Sequence, residues 1–334
     1  MTAKTTAKTQ HLIPHQRTAT AGPPARPRRG RRGLVTATAA LLVAGTLAGH
    51  HLLPDRYGLG SFVESFLPWL GVPVLLLLLV ALLRRSLVAL AGVLVAALTW
   101  TVMFGAGLLP KKRASAYDLR VVSQNMLDGN PDPTGTARAL KRANADVIAV
   151  QELTSATYRA AARQFDESYP YHERWGTLAV WSRYPIAGEA QPVDIGIGWV
   201  RAFRVPLSTP EGRVELYNVH LASLKVGAEG FESGQRDRTL RRLARAIAGD
   251  RSRHLVVVGD LNTAATDRSF RLLAEQLTPA HEAGGHGFGF TWPAAFPMTR
   301  IDHILVRGLT VSRASVLPST GSDHRAVAAD LTLG

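Results

Sequence analysis

Three long runs of apolar residues near the beginning of the chain constrain its fold more than any other feature of the sequence. They are LVTATAALLVAGTLAG (34–49), FLPWLGVPVLLLLLVALL (66–83) and LVALAGVLVAALTWTVMFGAGLL (87–109). A helix needs about 20 apolar residues to cross the hydrocarbon core of a bilayer. One such run can be a buried helix of a soluble protein, but three in succession are typical of a membrane anchor. We therefore predict three transmembrane helices within residues 34–110.

Basic residues flank these runs and suggest an orientation. Residues 1–33 are polar and proline-rich and end in RPRRGRR, so we predict a disordered basic tail in the cytoplasm. Arg84 and Arg85 separate the second run from the third, and positive residues favour the cytoplasmic side. Everything after Leu109 is then expected outside the cell, although KKR at 111–113 is a counter-signal. The alternative for the first run is a cleaved signal peptide.

Most of the positive charge of the chain belongs to this N-terminal part. The 334 residues carry a formal net charge of +14, but residues 114–334 contain 25 basic and 23 acidic side chains. A nearly neutral domain does not suit an extended DNA track, which needs several Lys or Arg contacts to phosphates, so we do not expect nucleic acid as a partner. The chain has no cysteine, which excludes disulfides and thiolate metal sites. The sequence gives no indication of the oligomeric state.

After a linker at 111–116, strands and helices mix over residues 117–334. We predict strands in YDLRVVSQNML, DVIAVQEL, TLAVWSRYPI, RAFRVPLS, RVELYNVHLAS, HLVVVGDLN, RIDHILVRG and DHRAVAADLTL. Helices are predicted in TGTARALKRANA, around 158–165 and in RDRTLRRLARAIAG. Because strands pair as hairpins as well as alternating with helices, we predict an α/β sandwich of two largely antiparallel sheets with outer helices.

Polar side chains stand where the predicted apolar strands begin or end. Each of these positions carries a carboxylate, an amide or an imidazole, and they are Asn125, Glu152, His220, Asp260, Asn262, Asp302, Asp323 and His324. Buried charges cost several kcal/mol unless they are paired or bound to a metal. We therefore predict that these residues share one mouth of the sandwich.

The residue types suit phosphoester hydrolysis with a hard cation. Mg²⁺ prefers oxygen ligands, which Asn125 and Glu152 can supply, with Asp323 as an outer ligand. Asp260 can orient or deprotonate the attacking water, and Asn262 can donate hydrogen bonds to the phosphate.

The two histidines of the set can donate to phosphate oxygens or protonate the leaving group. These are His220 and His324, and Asp302 can hold His324 as the imidazolium because a neighbouring carboxylate raises a histidine pKa. His303, on the opposite face of the same strand, is expected to be structural.

Six short motifs now identify a family resemblance. They are QN at 124–125, VQE at 150–152, NVHL at 218–221, GDLN at 259–262, RIDH at 300–303 and SDH at 322–324. As an ordered set they resemble the motifs of the endonuclease/exonuclease/phosphatase family, which includes DNase I, apurinic endonucleases, inositol phosphatases and bacterial sphingomyelinases. The resemblance implies a four-layered, DNase I-like α/β sandwich with Mg²⁺ or Mn²⁺.

The resemblance also implies roles for individual residues. Asn125 and Glu152 would be metal-site residues, and His220 and His324 would contact the phosphate. By the same pattern, Asp260 activates the nucleophile, Asn262 stabilises the transition state and Asp302 pairs with His324. One departure is Leu127, where members that act on DNA commonly have an acidic residue; Asp128 follows one position later.

The whole arrangement resembles the VanJ-type membrane proteins of actinomycetes, which are associated with resistance to glycopeptide antibiotics such as teicoplanin. This resemblance implies an enzyme in the cell membrane that hydrolyses a lipid-linked phosphate of cell-wall synthesis outside the cell. Two alternatives remain open at this stage. One is a membrane-tethered extracellular nuclease, and the other is a non-catalytic protein that binds an antibiotic or a lipid.

Two groups of side chains admit more than one interpretation. One group is aromatic and lies in predicted loops, where it either packs or forms a platform for a lipid or an aromatic ligand: Trp175, Trp199, Phe288, Phe290 and Trp292. The other group is the arginines of RDRTLRRLARAIAG, which form a solvated face or contact phosphate or lipid head groups.

Overall fold

The computed structural model describes residue 1 and residues 29–111, 116–223, 225–227 and 230–334. The predictions for the rest of the basic tail and for most of the linker fall outside these residues. Helices make up the first part of the described chain, and helices and strands make up the second.

The bounds of the elements are as follows. The α-helices are α1 (Arg29–Gly49), α2 (Leu59–Ser65), α3 (Gly71–Leu83), α4 (Leu87–Leu108), α5 (Pro133–Arg142), α6 (Ser155–Phe165), α7 (Gly234–Gly249), α8 (Arg271–Ala274) and α9 (Ala280–Gly284). The strands are β1 (Leu119–Asn125), β2 (Val147–Gln151), β3 (Tyr171–Trp175), β4 (Leu178–Ser182), β5 (Gln191–Pro192), β6 (Ala202–Thr209), β7 (Gly212–His220), β8 (Lys225–Gly227), β9 (Gly230–Glu232), β10 (Leu255–Asp260), β11 (Thr278–Pro279), β12 (Asp302–Arg307), β13 (Leu309–Val316) and β14 (Val327–Leu333).

Two helical segments are long and apolar enough to cross a membrane. They are Gly33–Leu52, which contains most of α1, and Leu87–Leu108, which is α4. The second apolar run contributes Leu67–Leu83, which passes the same test only together with the preceding Arg56–Ser65, and the two segments meet at an angle of 67°. The break falls at Phe66, whose φ of −114° and ψ of 12° are not helical, and Pro68, two positions later, has no N–H with which to continue a helix across it.

The three predicted transmembrane helices are therefore two candidate spans, or three if the bent pair is counted as one. Helix α1 begins at Arg29, inside the segment 1–33 that the sequence predicted to be disordered. The basic residues there are good helix formers, and extending an existing helix by a few residues costs little.

Helices α1 and α4 run parallel and approach closely through small residues. A Cβ atom added to Gly33 would lie 2.1 Å from Oγ of Ser86, and one added to Gly92 would lie 2.8 Å from Cα of Ala37. Such small-residue contacts let helix backbones approach each other in membranes. The beginning of α1 and the turn that precedes α4 therefore lie at the same end of the helical bundle.

Two six-stranded sheets form the sandwich that follows. Their strand orders are β13-β14-β1-β2-β4-β3 and β11-β12-β10-β7-β6-β5. Neighbouring strands are antiparallel, except that β1 is parallel to β2 and β7 is parallel to β10. This agrees with the predicted α/β sandwich of two largely antiparallel sheets.

Apolar side chains hold the layers together. One cluster, which includes Val258, fills the space between the two sheets. A second, around Phe165, packs α5 and α6 on the first sheet, and a third, around Leu243, packs α7 and α8 on the second. The resulting order of helix, sheet, sheet and helix is the predicted four-layered arrangement.

Buried amides fix the position of one sheet relative to the other. Nε2 of Gln151, at the end of β2, donates to Oδ1 of Asn218 at 2.8 Å, and Nδ2 of Asn218 donates to the carbonyl oxygen of Val150 at 3.0 Å. All of these groups are buried. Because losing these hydrogen bonds would leave buried amide hydrogens without acceptors, the contacts define the register near one mouth of the sandwich.

The sequence did not predict β3 or β13, which are the two edge strands of the first sheet. The residues of β3, YHERW, are exposed or half-buried, and so are most residues of β13. An edge strand with little buried surface shows no clear apolar alternation, which is why its pattern was missed.

Candidate active site

The centre of the site is Asp260, at the end of β10. The parallel neighbour β7 places His220 opposite Asp260, and the antiparallel neighbour β12 places Asp302 opposite it. Three predicted site residues therefore stand side by side on adjacent strands of one sheet. Asp260 and Asp302 are each 1% exposed.

The glycine before Asp260 allows β10 to approach β7 at this point. Gly259 has a φ of 137°, and a Cβ atom there would lie 1.8 Å from the carbonyl oxygen of Val219. Any other residue would have to push the two strands apart. The glycine of the GDLN motif is therefore a requirement of the strand spacing beside the site.

The other sheet contributes Asn125 and Glu152. Nδ2 of Asn125, at the end of β1, donates to Oε1 of Glu152 at 3.0 Å and to Oδ2 of Asp260 at 3.1 Å. The amide thus joins carboxylates from both sheets across the mouth of the sandwich. Its oxygen accepts a hydrogen bond from the backbone nitrogen of Leu127 at 3.0 Å, so in this arrangement it is the amide nitrogen that faces the carboxylates.

Three residues around the carboxylates adopt left-handed backbone conformations. Their φ values are 57° at Glu152, 47° at Asn262 and 63° at Leu127. Such conformations cost of order 1–3 kcal/mol in residues other than glycine and concentrate at functional sites. At Asn262 the conformation lets the backbone nitrogen donate to Oδ1 of Asp260 at 2.9 Å, which holds that carboxylate in place.

His324 forms an ion pair with Asp302. Its Nδ1 atom lies 2.9 Å from Oδ2 of Asp302, and its Nε2 atom lies 3.9 Å from Oδ2 of Asp260. Burial alone would lower the pKa of His324, but the two carboxylates outweigh burial and raise the pKa to about 10. The imidazole is therefore protonated at neutral pH, with Nε2 carrying a proton toward the pocket.

His220 is in the opposite state. Burial, Arg201 and His324 together hold the pKa of His220 well below its usual value, so this imidazole is neutral. Its Nε2 atom lies 3.4 Å from Oε1 of Glu152 and 3.6 Å from Oδ2 of Asp260. One histidine of the site is thus charged and the other is available as a neutral ligand or donor.

Burial raises the pKa of Asp260, and the nearby carboxylate of Asp302 adds to the effect, while His324 opposes it. A carboxylate with a raised pKa holds a proton more strongly than an ordinary aspartate. It is therefore a stronger base toward a bound water molecule.

The donor set fits a divalent cation. Glu152, His220 and Asp260 each offer one ligand atom within 4.8 Å of the others, and Asp260, Asp302 and His324 form a second such group. Several carboxylates crowded into a buried site repel one another, and a cation relieves that repulsion. Asp323, by contrast, is exposed and belongs to neither group, although we had predicted it as an outer ligand.

The pocket above these residues has a volume of about 380 Å³ and one apolar wall. Part of that wall comes from the segment around α2, namely Phe62, Ser65 and Phe66, together with Trp292 and Ile301. No pattern in the sequence predicts this wall, because a contact between segments far apart in the chain leaves no periodic signal. The site is therefore composite.

Buried charges fasten that segment to the sandwich. Glu64 is fully buried, and Arg268 donates to it from the backbone nitrogen at 2.8 Å and from Nε at 3.0 Å. Nη2 of Arg236 donates to Oγ of Ser61 at 2.9 Å. Arg236 is fully buried and also pairs with Asp267 at 2.8 Å, so at this position the predicted solvated face of α7 is wrong.

Of the remaining residues singled out in the sequence, some pack inside the protein and one lines the pocket. His303 is buried and its Nε2 lies 2.9 Å from the carbonyl oxygen of Thr263, as expected for a structural residue. Phe288 stacks on Phe290 at 5.1 Å between ring centroids, and Phe290 stacks on Trp69 at 5.9 Å. These two phenylalanines therefore pack next to Trp69, in the N-terminal helical part, whereas Trp292 lines the pocket.

Arg201 was missed by the sequence interpretation. It immediately precedes β6, and its carbonyl oxygen accepts a hydrogen bond from the backbone nitrogen of His220 at 2.8 Å. The predicted hairpin of RAFRVPLS and RVELYNVHLAS already places this arginine opposite His220, so the sequence could have indicated that Arg201 lies near the site.

The chain was compared with known families and structures. The model of the endonuclease/exonuclease/phosphatase family matches residues 122–324. None of the curated proteins compared with the chain matches it. Similar solved structures include an endonuclease/exonuclease/phosphatase from Beutenbergia cavernae, with 20% identity and a TM-score of 0.54 over 66% of this chain and 72% of that chain.

Two further structures show the same fold at low identity. A functionally unknown conserved protein from Enterococcus faecalis has 13% identity and a TM-score of 0.55 over 65% of this chain and all of its own. TDP2 from D. rerio, complexed with a single-strand DNA product, has 18% identity and a TM-score of 0.54 over 64% of this chain and 98% of that chain.

Proposed function

Because the chain belongs to the endonuclease/exonuclease/phosphatase family, we propose that it is a membrane-anchored, Mg²⁺-dependent phosphoester hydrolase that acts on a lipid-linked phosphate. The family consists of phosphoesterase and nuclease-type hydrolases that use metal ions. Our proposal goes beyond membership of the family in three respects, which are the membrane location, the metal and the substrate. It extends to a lipid carrier of cell-wall synthesis outside the cell, and to resistance to glycopeptides such as teicoplanin.

The composite pocket carries the lipid part of the proposal. Phe62 and Phe66, which adjoin the apolar helices, line the same pocket as the buried carboxylate of Asp260. A substrate with a phosphate joined to a hydrocarbon would place its charged end on the polar side and its apolar end on the aromatic side. Each buried methylene group contributes about 0.8 kcal/mol.

The chain's own residues supply the acid–base chemistry. Asp260 accepts a proton from the attacking water, and the backbone nitrogen of Asn262 holds that carboxylate in place. His324, kept protonated by Asp302, donates from Nε2 to a phosphate oxygen. A cation held by Glu152 and Asp260, with His220 beside them, would neutralise charge on the phosphoryl group.

The distribution of basic residues supports an external site. Ser86 contacts Gly33, so Arg84 and Arg85 lie at the same end of the bundle as the beginning of α1. The carbonyl oxygen of Gly107, near the end of α4, accepts a hydrogen bond from the sandwich. Positive residues favour the cytoplasmic side, so the sandwich would lie on the opposite side.

A substrate panel tests the proposal. The full-length protein in detergent is expected to release inorganic phosphate from isoprenyl phosphates or diphosphates with Mg²⁺, and to lose this activity with a chelator. Cleavage of DNA without lipid phosphate release would favour a tethered nuclease instead. If an Asp260→Ala strain keeps full glycopeptide resistance, the non-catalytic alternative is favoured.

A further inference from the structure

A second cavity of about 280 Å³ opens beside the catalytic pocket. The two cavities share three lining residues, which are Glu152, His220 and Ser223. One remaining wall of the second cavity consists of Asp128, Leu153 and Thr154. The other consists of Thr177, between β3 and β4, and of Trp199 and Arg201, just before β6. A group bound there would therefore be next to a phosphate bound in the catalytic pocket.

Arg201 is a half-buried cation that forms no ion pair with any side chain that the structure describes. Its guanidinium carbon lies 5.1 Å from the centroid of the Trp199 ring, and its Nε atom is buried without a hydrogen-bond partner. Among residues 33–111, 116–223 and 233–334, no carboxylate lies within 4.0 Å of its nitrogen atoms. Asp260 and Glu152 act on this guanidinium only from beyond that distance. Withdrawing a guanidinium from water without a direct ion pair is costly, so an anionic ligand would stabilise this arrangement.

Two more polar atoms on this cavity are buried and unsatisfied within the described residues. They are Oγ1 of Thr177 and Nδ1 of His220. Buried polar groups are almost always hydrogen-bonded, and each exception requires an explanation. Three such atoms in residues that line one cavity have a single explanation if these side chains turn toward a ligand with several acceptor oxygens.

We propose that Arg201, Thr177 and His220 form a second anion site, and that the substrate class is a diphosphate ester rather than a simple monophosphate. The proposal deepens the proposed function and rests on it. Arginine suits this role because its planar guanidinium binds two phosphate oxygens at once. The terminal phosphoryl group would occupy the catalytic pocket, and the phosphoryl group next to the alcohol would occupy the second cavity.

The reaction then has a defined leaving group. Water attacks the terminal phosphorus atom, and the bond between that phosphorus and the bridging oxygen breaks. The electron pair stays with the bridging oxygen, so one water is consumed and inorganic phosphate and a monophosphate ester are formed. Arg201 lies where the new negative charge develops and stabilises it.

Binding of inorganic pyrophosphate tests the site without requiring turnover. The full-length protein in detergent, with Mg²⁺ in excess, is titrated calorimetrically with pyrophosphate and with phosphate. We expect the unchanged protein to bind pyrophosphate at least about tenfold more tightly than phosphate, since a hydrogen bond to a charged group contributes roughly ten- to a hundredfold. Arg201→Gln should abolish this preference, and Thr177→Val should reduce it about threefold or more.

Matched controls separate the site from general effects. Arg183 also lies over an aromatic ring, at 5.3 Å from the centroid of Tyr169, but pairs with Asp146 and does not line either cavity. Arg183→Gln should therefore keep the preference. Thr177→Val keeps the side-chain shape and removes a hydroxyl that has no hydrogen-bond partner among the described residues, so this variant should keep its melting temperature. It therefore tests the site even if Arg201→Gln is poorly folded.

The outcomes distinguish this proposal from the one on which it rests. An unchanged preference in both variants overturns the anion site, whether or not the protein hydrolyses lipid phosphates. A preference for pyrophosphate that depends on Arg201 and Thr177 supports the anion site, even if the protein releases no phosphate from any lipid. Failure to release phosphate would contradict only the proposed function.

Discussion

The carboxylate of Glu64, between the first two apolar helices, accepts hydrogen bonds from the backbone nitrogen and the Nε atom of Arg268, 204 residues later in the chain. Glu64 also lies 3.0 Å from Nδ1 of His50. A fully buried carboxylate needs these partners, so the N-terminal helices and the sandwich are joined by more than the peptide chain. This contact also positions Phe62 and Phe66 at the active site.

Removing the arginine side chain should therefore weaken the junction. Arg268→Ala leaves Glu64 buried without its main partner, which typically costs about 3–5 kcal/mol. We expect a lower melting temperature and faster proteolysis around residues 53–66. The double change Glu64→Leu and Arg268→Leu should recover much of the loss, because it leaves no unpaired charge. Equal stability of Arg268→Ala and the unchanged protein would contradict this interpretation of the junction.

Phe62 should affect hydrocarbon substrates more than short ones. Phe62→Ala removes part of the apolar wall, and its side chain is 39% exposed, so folding should be preserved. We expect kcat/KM for a fifteen-carbon isoprenyl phosphate to fall about 5- to 30-fold relative to that for a five-carbon one. Phe296→Ala is the matched control, since Phe296 is exposed and does not line the pocket. The same ratio in both variants would argue against an apolar substrate wall.

The ion pair of His324 with Asp302 predicts a pH dependence. The raised pKa means that the pair stabilises the fold fully below the ordinary histidine pKa of 6.5, and that this stabilisation is lost as the pH rises through about 10. In Asp302→Asn the largest raising influence is gone and burial lowers the pKa. NMR titration should show that drop, and the difference in unfolding free energy between the two proteins should be larger at pH 6 than above pH 10. A His324 pKa that does not change would contradict the assignment.

Gly259 should tolerate no side chain. Gly259→Ala combines an unfavourable φ of 137° with a Cβ atom 1.8 Å from a backbone oxygen, so we expect a loss of at least about 3 kcal/mol in unfolding free energy, together with most of the activity. Denaturant titration measures the loss. Gly249→Ala, at the end of α7, is the control because a Cβ atom there meets no atom within 4 Å. Similar stabilities of the two variants would show that the strands can separate freely.

Much of the site was predictable because a strand that ends in a polar residue delivers that residue to the edge of its sheet. Asn125, His220 and Asp260 follow this rule directly, and register brings the last two together. Asp323 shows the limit of the rule. It lies in a turn before β14, where one position decides whether a side chain points into the pocket, and the neighbouring His324 is the one that does.

The composite wall could not be predicted in the same way. The sequence shows that Phe62 and Glu64 are near apolar helices, but the partner of Glu64 is determined by packing between distant segments. Arg201 is similar, since its proposed role depends on the absence of a carboxylate within 4.0 Å among the residues whose side chains are described. Burial and pairing of this kind are properties of the folded chain.

The most direct test of the central claim is the rate of phosphate release from an isoprenyl diphosphate by Asp260→Asn compared with the unchanged protein, at saturating Mg²⁺. The substitution keeps the shape of the side chain and removes a buried charge, so the variant should fold normally. We predict that the rate falls by a factor of at least about 10² with no loss in melting temperature. A folded Asp260→Asn protein with an undiminished rate would contradict the account.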